Sequence, residues 1–374
     1  MPYGVPNSPL TASRNVVING GADVAQRGPG PYSIGPGIFG GSTDPVAADM
    51  WRAFGDQSGV FPLNTLVVDI EQFADHPTLG AFGHSTGFTV TTAEAAIAAT
   101  EVMGLQTVIE GYNLLAIWLQ STVLSFWVRS PKNGIHCVTI QNDAGTASYI
   151  VEFTVNAPNV WEQKFIGINL GVMPVAIQAT FSLTTGLSRI IFPLAAGANF
   201  QGVAGWQLTA FPSPVATANQ QNLVDTIGNT FRVTDVQWEP GFVATAFERI
   251  PFSSNLERCQ RYYEHTFTYG TQPASATGQG SALTYSVSNA GAVFKRVPYF
   301  YRVLKRPQAI PILQFFNPDA AGTTWRNRSI GADSGAATFL YNREDAIVMN
   351  NPQVAGDVAG NIIALHLAIK ADVI

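Results

Sequence analysis

The feature that most constrains the fold is the alternation of apolar and polar residues in short segments. In Val123–Arg129 (VLSFWVR), apolar side chains alternate with polar ones, and Trp127 falls on the polar side. A two-residue period is that of a β-strand with one buried face. We therefore expect Trp127 to point away from the apolar stripe of its own strand.

Similar segments, bounded by Gly, Pro, Asn or Ser, recur along the chain. They cover 15–18, 49–54, 66–70, 135–141, 149–155, a strand starting at Trp161, 178–183, 187–192, 230–238, 292–297, 310–316, 337–341 and 361–372. The Asn133-Gly134 turn predicts a hairpin joining 123–129 to 135–141. Short, regularly spaced strands predict an all-β protein with an antiparallel jelly-roll sandwich. An α/β sheet would need a helix after nearly every strand.

Helices are expected at few places. Thr92–Met103 (TAEAAIAATEVM) consists of strong helix formers followed by Gly104, which predicts one short helical insertion in the sandwich. A further helical turn at Gln106–Leu115 is weakened by Gly111. Asn255–Glu264 is a compact amphipathic segment that suits one to two helical turns or a bridge between domains.

The chain of 374 residues has room for two domains. Residues 1–13 are rich in proline and polar residues, which predicts an extended N-terminal arm. The jelly roll is expected over 14–250. The composition becomes rich in Gly, Ser, Thr and Ala at 268–289, and we expect a smaller C-terminal β domain at about 251–374.

Composition excludes several functions. Charged residues are 12% of the chain, about half the ~25% of an average soluble domain, and the net charge is −5. Nucleic-acid binding is not expected, because it requires a basic surface. The absence of an 18-residue apolar stretch predicts no membrane span, and the N-terminus does not resemble a signal peptide. Cys137 and Cys259 are expected to be buried free thiols.

Catalytic and metal-binding patterns are not found. There is no G-x-S-x-G motif, and with 25 acidic residues a pair of carboxylates identifies no glycosidase site. Glu71, Asp75 and His76 could surround a cation, but a solvated loop is the favoured interpretation. We predict no enzyme, no resident metal and no cofactor. A structural Ca²⁺ held by loop carbonyls would leave no readable spacing.

The seven tryptophans are the remaining candidates for ligand binding, because an indole ring stacks well on the C–H face of a sugar. Core packing is the commoner role of such residues. Trp127 and Trp161 are the candidate ligand-binding residues.

Four segments, in order and at similar spacing over about 14–265, resemble a family of tailed-phage virion proteins. These are tail-fibre and adsorption proteins with a carbohydrate-binding-like jelly roll. The segments are NVVINGGADVAQRG (15–28) with ADMWR (48–52), VIEGYN (108–113) with LSFWVRS (124–130), NFQGVAGW (199–206), and FRVTDVQWEPGFVATAF (231–247) continuing to ERCQRYY (257–263). Trp238 departs from the small aliphatic residue expected at its position.

The resemblance implies a structural protein of the virion surface, made in the host cytoplasm. It implies a homo-oligomer, with a trimer favoured, that contacts other virion proteins through the 1–13 arm or the C-terminal domain and aids adsorption. Arg258, Arg261, Tyr262 and Tyr263 suit a domain junction or subunit interface. The alternatives are a carbohydrate-binding module that recognises host glycans and, less favoured, a polysaccharide-degrading spike. Fibre, spike and head decoration all remain open.

Overall fold

The computed structural model describes residues 14–36, 46–55, 65–184, 186–278, 282–287, 294–306, 311–352, 354 and 356–371. The predicted 1–13 arm lies outside the described residues. The described chain is mostly antiparallel β-structure, which confirms the predicted fold class. No helix in these ranges has the length and apolarity needed to cross a membrane.

Two six-stranded antiparallel sheets form the sandwich. Their strands are β1 (Tyr32–Ile34), β2 (Trp51–Phe54), β3 (Val67–Phe73), β4 (Ser85–Thr92), β5 (Val102–Glu110), β6 (Ser121–Arg129), β7 (Gly134–Asn142), β8 (Ala147–Val155), β9 (Trp161–Asn169), β10 (Leu187–Ala196), β11 (Gly205–Leu208) and β12 (Thr230–Pro240). The front sheet has the order β1-β3-β4-β12-β6-β9, and the back sheet has the order β11-β8-β7-β10-β5-β2.

The chain passes repeatedly between the two sheets, as in a jelly roll. β6 pairs with β12 and β9 in the front sheet, whereas β7 pairs with β8 and β10 in the back sheet. The hairpin predicted at Asn133-Gly134 is therefore wrong. Gly134 has a φ of +115°, a conformation that glycine adopts readily, and here it turns the chain from one sheet to the other.

The core lies between the inner faces of the two sheets. Phe126 of β6 packs edge-on against Phe192 of β10 at a centroid distance of 5.0 Å. Trp238 is 1% exposed, and its indole N–H donates to Thr122 Oγ1 at 2.8 Å. Each fully buried side chain of the size of Leu or Phe stabilises the fold by about 1.5–3 kcal/mol. This burial fixes which residues of each strand remain on the outer face.

The described residues include three short α-helices: α1 (Gly111–Leu114), α2 (Val175–Gln178) and α3 (Phe252–Gln260). The predicted helix at 92–103 is wrong. Thr92 ends β4 in the front sheet and Val102 begins β5 in the back sheet, so the nine residues between them cross from sheet to sheet. The need to cross, together with the burial of all of β5, outweighs the helix propensity of the alanines.

Three smaller predictions also need correction. Residues 106–110 belong to β5, and only α1 is helical in the predicted turn at 106–115. Residues 15–18 are not a strand, because the Asn15 side chain takes the ladder positions: its Oδ1 accepts from the backbone N–H groups of Val17 and Trp238. Gln178 is the last residue of α2, which Pro174 precedes, and residues 179–183 are turns and irregular chain instead of a strand.

The C-terminal strands form two further sheets. They are β13 (Tyr263–His265), β14 (Leu283–Ser286), β15 (Phe294–Phe300), β16 (Ile312–Phe316), β17 (Thr324–Asn327), β18 (Ala332–Ala336), β19 (Thr338–Asn342), β20 (Ala346–Pro352) and β21 (Ile362–Lys370). The C-terminal sheet has the order β13-β21-β17-β18, with β14 and β16 also paired to β21. The three-stranded sheet has the order β15-β20-β19.

These sheets enclose a core of their own, centred on Trp325 and on Leu365 and Leu367 of β21. Cys259 and Tyr262 instead pack against Ile18 and Val24 of the N-terminal segment. A domain boundary near residue 250 stays a prediction. Both cysteines are buried free thiols, as expected.

Candidate functional site

The outer face of the front sheet is the most distinctive exposed polar surface of the sandwich. We call it the front face. Alternation along five strands places its residues outward: Glu71, Phe73, Thr89, Trp127, Arg129, Trp161, Gln163, Thr230 and Arg232. The opposite side chains of the same strands, among them Ile70, Phe88 and Val233, fill the core.

Strand register aligns these residues in rows across the sheet. One row runs Glu71, Gly87, Arg232, Arg129 and Trp161. At Gly87 the backbone of β12 approaches too closely for a side chain, because a Cβ there would lie 1.8 Å from the Phe231 carbonyl oxygen. The Arg232 guanidinium lies over the Phe73 ring, 3.9 Å from its centroid, in a cation–π contact.

Trp127 and Trp161, the two tryptophans proposed from the sequence, both lie half-buried on this face. Trp127 lies opposite Gln163 and Trp161 opposite Arg129 on the paired strands β6 and β9. They occupy adjacent rows of the same two strands. The structure therefore brings them together, with part of each side chain open to solvent.

Asp75 bridges the polar groups of the front face. Arg232 and Arg129 are directly opposite one another on β12 and β6, an arrangement of like charges that is unfavourable by itself. Asp75 Oδ2 accepts from both guanidinium groups, at 2.7 Å from Arg232 Nη1 and 3.0 Å from Arg129 Nη1. Its Oδ1 lies 3.5 Å from the Trp161 indole nitrogen. The carboxylate thus holds two cations and one tryptophan in place.

This arrangement changes the acidity of the groups involved. Burial alone would raise the pKa of Asp75, but the hydrogen bonds from Arg232, Trp161 and Arg129 outweigh it and hold that pKa below its ordinary value. Burial lowers the pKa of Arg232, against the opposing attraction of Asp75. Both groups remain ionised at neutral pH. This part of the sheet has a net charge of −1, from three carboxylates (Asp69, Glu71 and Asp75) and two guanidinium groups (Arg129 and Arg232).

The loop 74–84 forms a wall beside the face. His76 Nδ1 accepts from the backbone N–H groups of Thr78 and Leu79 at 3.1 and 3.2 Å, and its Nε2 lies 3.1 Å from Asp235 Oδ2 and 2.9 Å from Arg249 Nη2. Arg249 also donates to Asp235, at 3.0 Å. Asp235 lies in the β12 bulge at a φ of +50°. This anchor positions Asp75, the residue before His76, over the arginines.

Asp235 is the carboxyl beside the front face whose properties most resemble those of a catalytic acid. Burial raises its pKa, which is a property of a general acid. Its oxygens are, however, engaged by His76 and Arg249, and its side chain is 9% exposed. The contacts around Asp235 are those of a loop anchor.

The cation site considered for Glu71, Asp75 and His76 does not assemble. Glu71 accepts from Thr89 Oγ1 at 2.9 Å, Asp75 faces the arginines and His76 faces Asp235. Over the described ranges, no group of three or more His, Cys, Asp or Glu residues is placed to hold a metal ion.

The predicted junction residues contact strand β5 of the back sheet and the N-terminal segment, away from the two tryptophans. Arg261 donates to both carboxylate oxygens of Glu110 at 2.9 Å, and the Tyr262 hydroxyl donates to the same group at 3.1 Å. Tyr263 lies under the Arg27 guanidinium, 3.3 Å from ring centroid to Cζ. Arg258 is partly buried near the Asn15 carbonyl. These are contacts within one chain, and a role between subunits stays a prediction.

Sequence reasoning missed Asp75, Arg129, Arg232 and Phe73 as members of one site. Arg129 could have been found, because it is two residues from Trp127 and therefore on the same side of β6. Arg232 and Phe73 required the sheet order, and Asp75 required the path of a loop. No sequence spacing gives either.

No protein-family model and no curated protein matches the chain. Among solved structures, it is similar to a family 11 carbohydrate-binding module from Clostridium thermocellum, with 12% identity, 56% of this chain and 97% of that chain covered and a TM-score of 0.29. A putative sugar binding protein from Bacteroides thetaiotaomicron has 10% identity and a TM-score of 0.32, with 61% of this chain and 100% of that chain covered. The enzymatically active domain of tailspike protein 4 from bacteriophage CBA120 has 8% identity and a TM-score of 0.27, with 55% of this chain and 22% of that chain covered. Similarity at this level carries no argument about what this chain binds.

Proposed function

We propose that this chain is a non-catalytic carbohydrate-binding protein and that the front face is its binding site. The observation that carries the proposal is the pair of half-buried tryptophans beside two arginines bridged by Asp75. Indole rings offer flat apolar surfaces for the C–H faces of sugar rings. Guanidinium and carboxylate groups offer fixed donors and acceptors for hydroxyl groups. An exposed sheet face lets a chain of several sugar rings lie across the rows.

The charge of the face favours a neutral glycan. With three carboxylates against two guanidinium groups, it has no net attraction for a polyanion such as a uronate-rich capsule. Both arginines already share the Asp75 carboxylate. Uncharged hydroxyl groups can bond to either kind of side chain without displacing that pair.

A hydrolytic role would require two carboxyl groups facing a bound sugar, one of them protonated. On the front face the Asp75 carboxyl is held ionised, and the Asp235 carboxyl is already engaged by His76 and Arg249. We therefore propose binding without turnover, and purified protein should release no reducing sugar from any polysaccharide that it binds.

The resemblance to phage adsorption proteins supports a location on the surface of a bacteriophage particle, where the bound sugars would be those of the host cell. Immunogold labelling of purified particles tests this location. Label on the particle surface supports it, and absence of the chain from particles contradicts it. A purely structural role on the particle is the second candidate, favoured by the exposed apolar side chains of the three-stranded sheet.

The binding proposal is tested on a glycan array, followed by calorimetric titration of the best neutral oligosaccharide. Trp127→Ala and Trp161→Ala should each weaken binding about tenfold or more, the equivalent of ~1.4 kcal/mol. Trp206→Ala is the matched control, because Trp206 is also half-buried but lies on the back sheet, stacked near Tyr149. Absence of binding to any glycan, or equal losses in all three variants, would contradict the proposal.

A further inference from the structure

The front sheet continues beyond the tryptophans along its edge strand β9. The outward residues of β9 that follow Trp161 are all exposed: Gln163, Phe165, Gly167 and Asn169. We call these four residues the β9 ledge. Phe165 is 59% exposed, and a Cβ added at Gly167 would meet no atom within 4 Å. The β9 ledge is therefore open to solvent over about 20 Å, at ~3.3 Å per residue.

The strands beside the β9 ledge are covered. Their outward side chains are at most 4% exposed: Val123, Ser125, Gln237 and Glu239. Segment 245–248 lies over β12, and its backbone N–H groups donate to the side chains of Glu239 and Gln237, each at 2.8 Å. On its other side, β9 is the last strand of the front sheet. A ligand on this part of the face must therefore run along β9, because the way across β6 and β12 is blocked.

The side chains of the β9 ledge are all uncharged. The amide groups of Gln163 and Asn169 offer hydrogen-bond donors, and the Phe165 ring between them offers a flat apolar surface. The two charged residues of β9, Glu162 and Lys164, point to the other side of the sheet, where they form an ion pair at 2.6 Å. Amides on both sides of an apolar ring suit a neutral ligand that has hydroxyl groups and C–H faces.

Strand register joins the β9 ledge to the tryptophans. Gln163 lies opposite Trp127 of β6, and Phe165 lies on the same side of β9 as Trp161, four residues further along the strand. Four residues of a strand span about 13 Å. One sugar ring is too small to contact both Trp161 and Phe165, whereas an extended chain of several rings contacts both. The two aromatic residues therefore act together only on a long ligand.

We propose that the β9 ledge is a second subsite of the front face, and that it makes the face selective for long neutral oligosaccharides whose chain runs parallel to β9. This inference rests on the proposed sugar-binding function. A short oligosaccharide contacts only the tryptophans and the neighbouring arginines. A longer one adds Phe165 and the two amides, and the loss of translational and rotational freedom on binding is not repeated. Affinity should therefore rise with the number of rings.

Calorimetric titration of a length series tests the proposal. The probe is the best neutral glycan of the array, prepared from two rings to about six, which covers the ~26 Å from Trp161 to Asn169. For the unmodified chain, affinity should rise at least about tenfold from the shortest member to the longest. Phe165→Ala should remove most of this rise and change the affinity for the shortest member by less than about twofold, because the two subsites are far apart. Phe339→Ala is the matched control, since Phe339 is 49% exposed on β19 of the three-stranded sheet.

A side chain added at Gly167 tests the path of the ligand. A Cβ at this position touches nothing in the chain, so Gly167→Leu should fold with an unchanged urea midpoint. It should nevertheless lie in the path of a long oligosaccharide and weaken binding of the longest member at least about fivefold, by steric overlap. The affinity for the shortest member should not change.

The outcomes separate this proposal from the sugar proposal. An affinity that does not rise with length, or a rise that survives both Phe165→Ala and Gly167→Leu, would overturn the β9 ledge as a subsite, while the sugar proposal stands if Trp161→Ala still weakens binding. A lower mass of Phe165→Ala in sedimentation velocity would show a subunit contact at the β9 ledge and would also overturn it. Absence of binding to every glycan would overturn both proposals.

Discussion

Two exposed sheet faces of this chain differ in how their polar groups are satisfied. On the front face, the Asp75 carboxylate accepts from both Arg129 and Arg232, and Phe73 is covered by a guanidinium. On the outer face of the three-stranded sheet β15-β20-β19, Phe300 and Tyr341 are open to water. The front face therefore presents charged groups that orient one another, whereas the outer face of the three-stranded sheet is apolar at its centre.

The ion pairs of the two regions also differ in how deeply they are buried. The front-face ion pairs are partly exposed, and pairs of that kind contribute little to stability. In the C-terminal half, Lys305 and Glu264 are 0% and 1% exposed and 2.6 Å apart. The front-face charges are therefore available for the proposed binding role, whereas the buried Lys305–Glu264 pair is part of the C-terminal core.

The largest effect is expected from Lys305→Met. It leaves the Glu264 carboxylate buried with only the Tyr299 hydroxyl and the Arg302 N–H as donors, and should lower the free energy of unfolding by about 3–5 kcal/mol. Arg129→Met on the front face should lower it by about 1 kcal/mol or less. Urea denaturation measures both. The double variant Lys305→Met, Glu264→Gln should recover part of the loss, and equal losses in the two single variants would remove the contrast.

A smaller effect is expected from Asp75→Asn. The amide no longer neutralises Arg129 and Arg232, which lie directly opposite one another, so sugar affinity should fall about 5- to 10-fold. Calorimetric titration measures this loss. Asp143→Asn is the control, since Asp143 also accepts from an arginine, but from Arg189 of the back sheet. An unchanged affinity in Asp75→Asn would show that the bridge does not organise the site.

The pH dependence follows from the lowered pKa of Asp75. A carboxyl whose folded pKa lies below its ordinary value stabilises fully above about 3.9 and loses that contribution as the pH falls through the folded pKa. Sugar affinity should therefore be constant from pH 7 to about 5 and fall only below about pH 4. A decline that begins at a higher pH would instead point to Asp235, whose pKa burial raises.

The smallest effect is expected from salt. Raising the ionic strength from about 0.05 to 0.5 M should leave the affinity for a neutral sugar unchanged, because screening acts only between charges and the ligand carries none. A salt-sensitive sugar affinity would indicate an anionic ligand and contradict the proposed glycan class.

Local patterns predicted much of the fold. The alternation in 123–129 gives the buried side of β6 and the outward direction of Trp127, and 149–155 falls within β8. The prediction at 92–103 was wrong because helix propensity depends only on the local sequence, whereas this segment must cross from one sheet to the other. The Asn133-Gly134 turn was misinterpreted for the same reason, since a turn dipeptide does not reveal which sheet receives the next strand.

The candidate site was predictable only in part. Trp127 and Trp161 could be chosen from strand patterns, but their neighbours come from distant parts of the chain: Arg232 is 157 residues from Asp75. The pairing of β6 with both β9 and β12 creates the site, and that pairing depends on the whole core. The three-stranded sheet similarly pairs strands that are distant in sequence, since more than forty residues separate β15 from β20.

The most direct test of the central claim is a crystal structure of the chain with the oligosaccharide that binds best on the array. The account predicts a sugar ring stacked on Trp127 or Trp161, with hydroxyl groups bonded to Arg129, Arg232 or Asp75. A sugar bound on any other surface, with the front face empty, would contradict it.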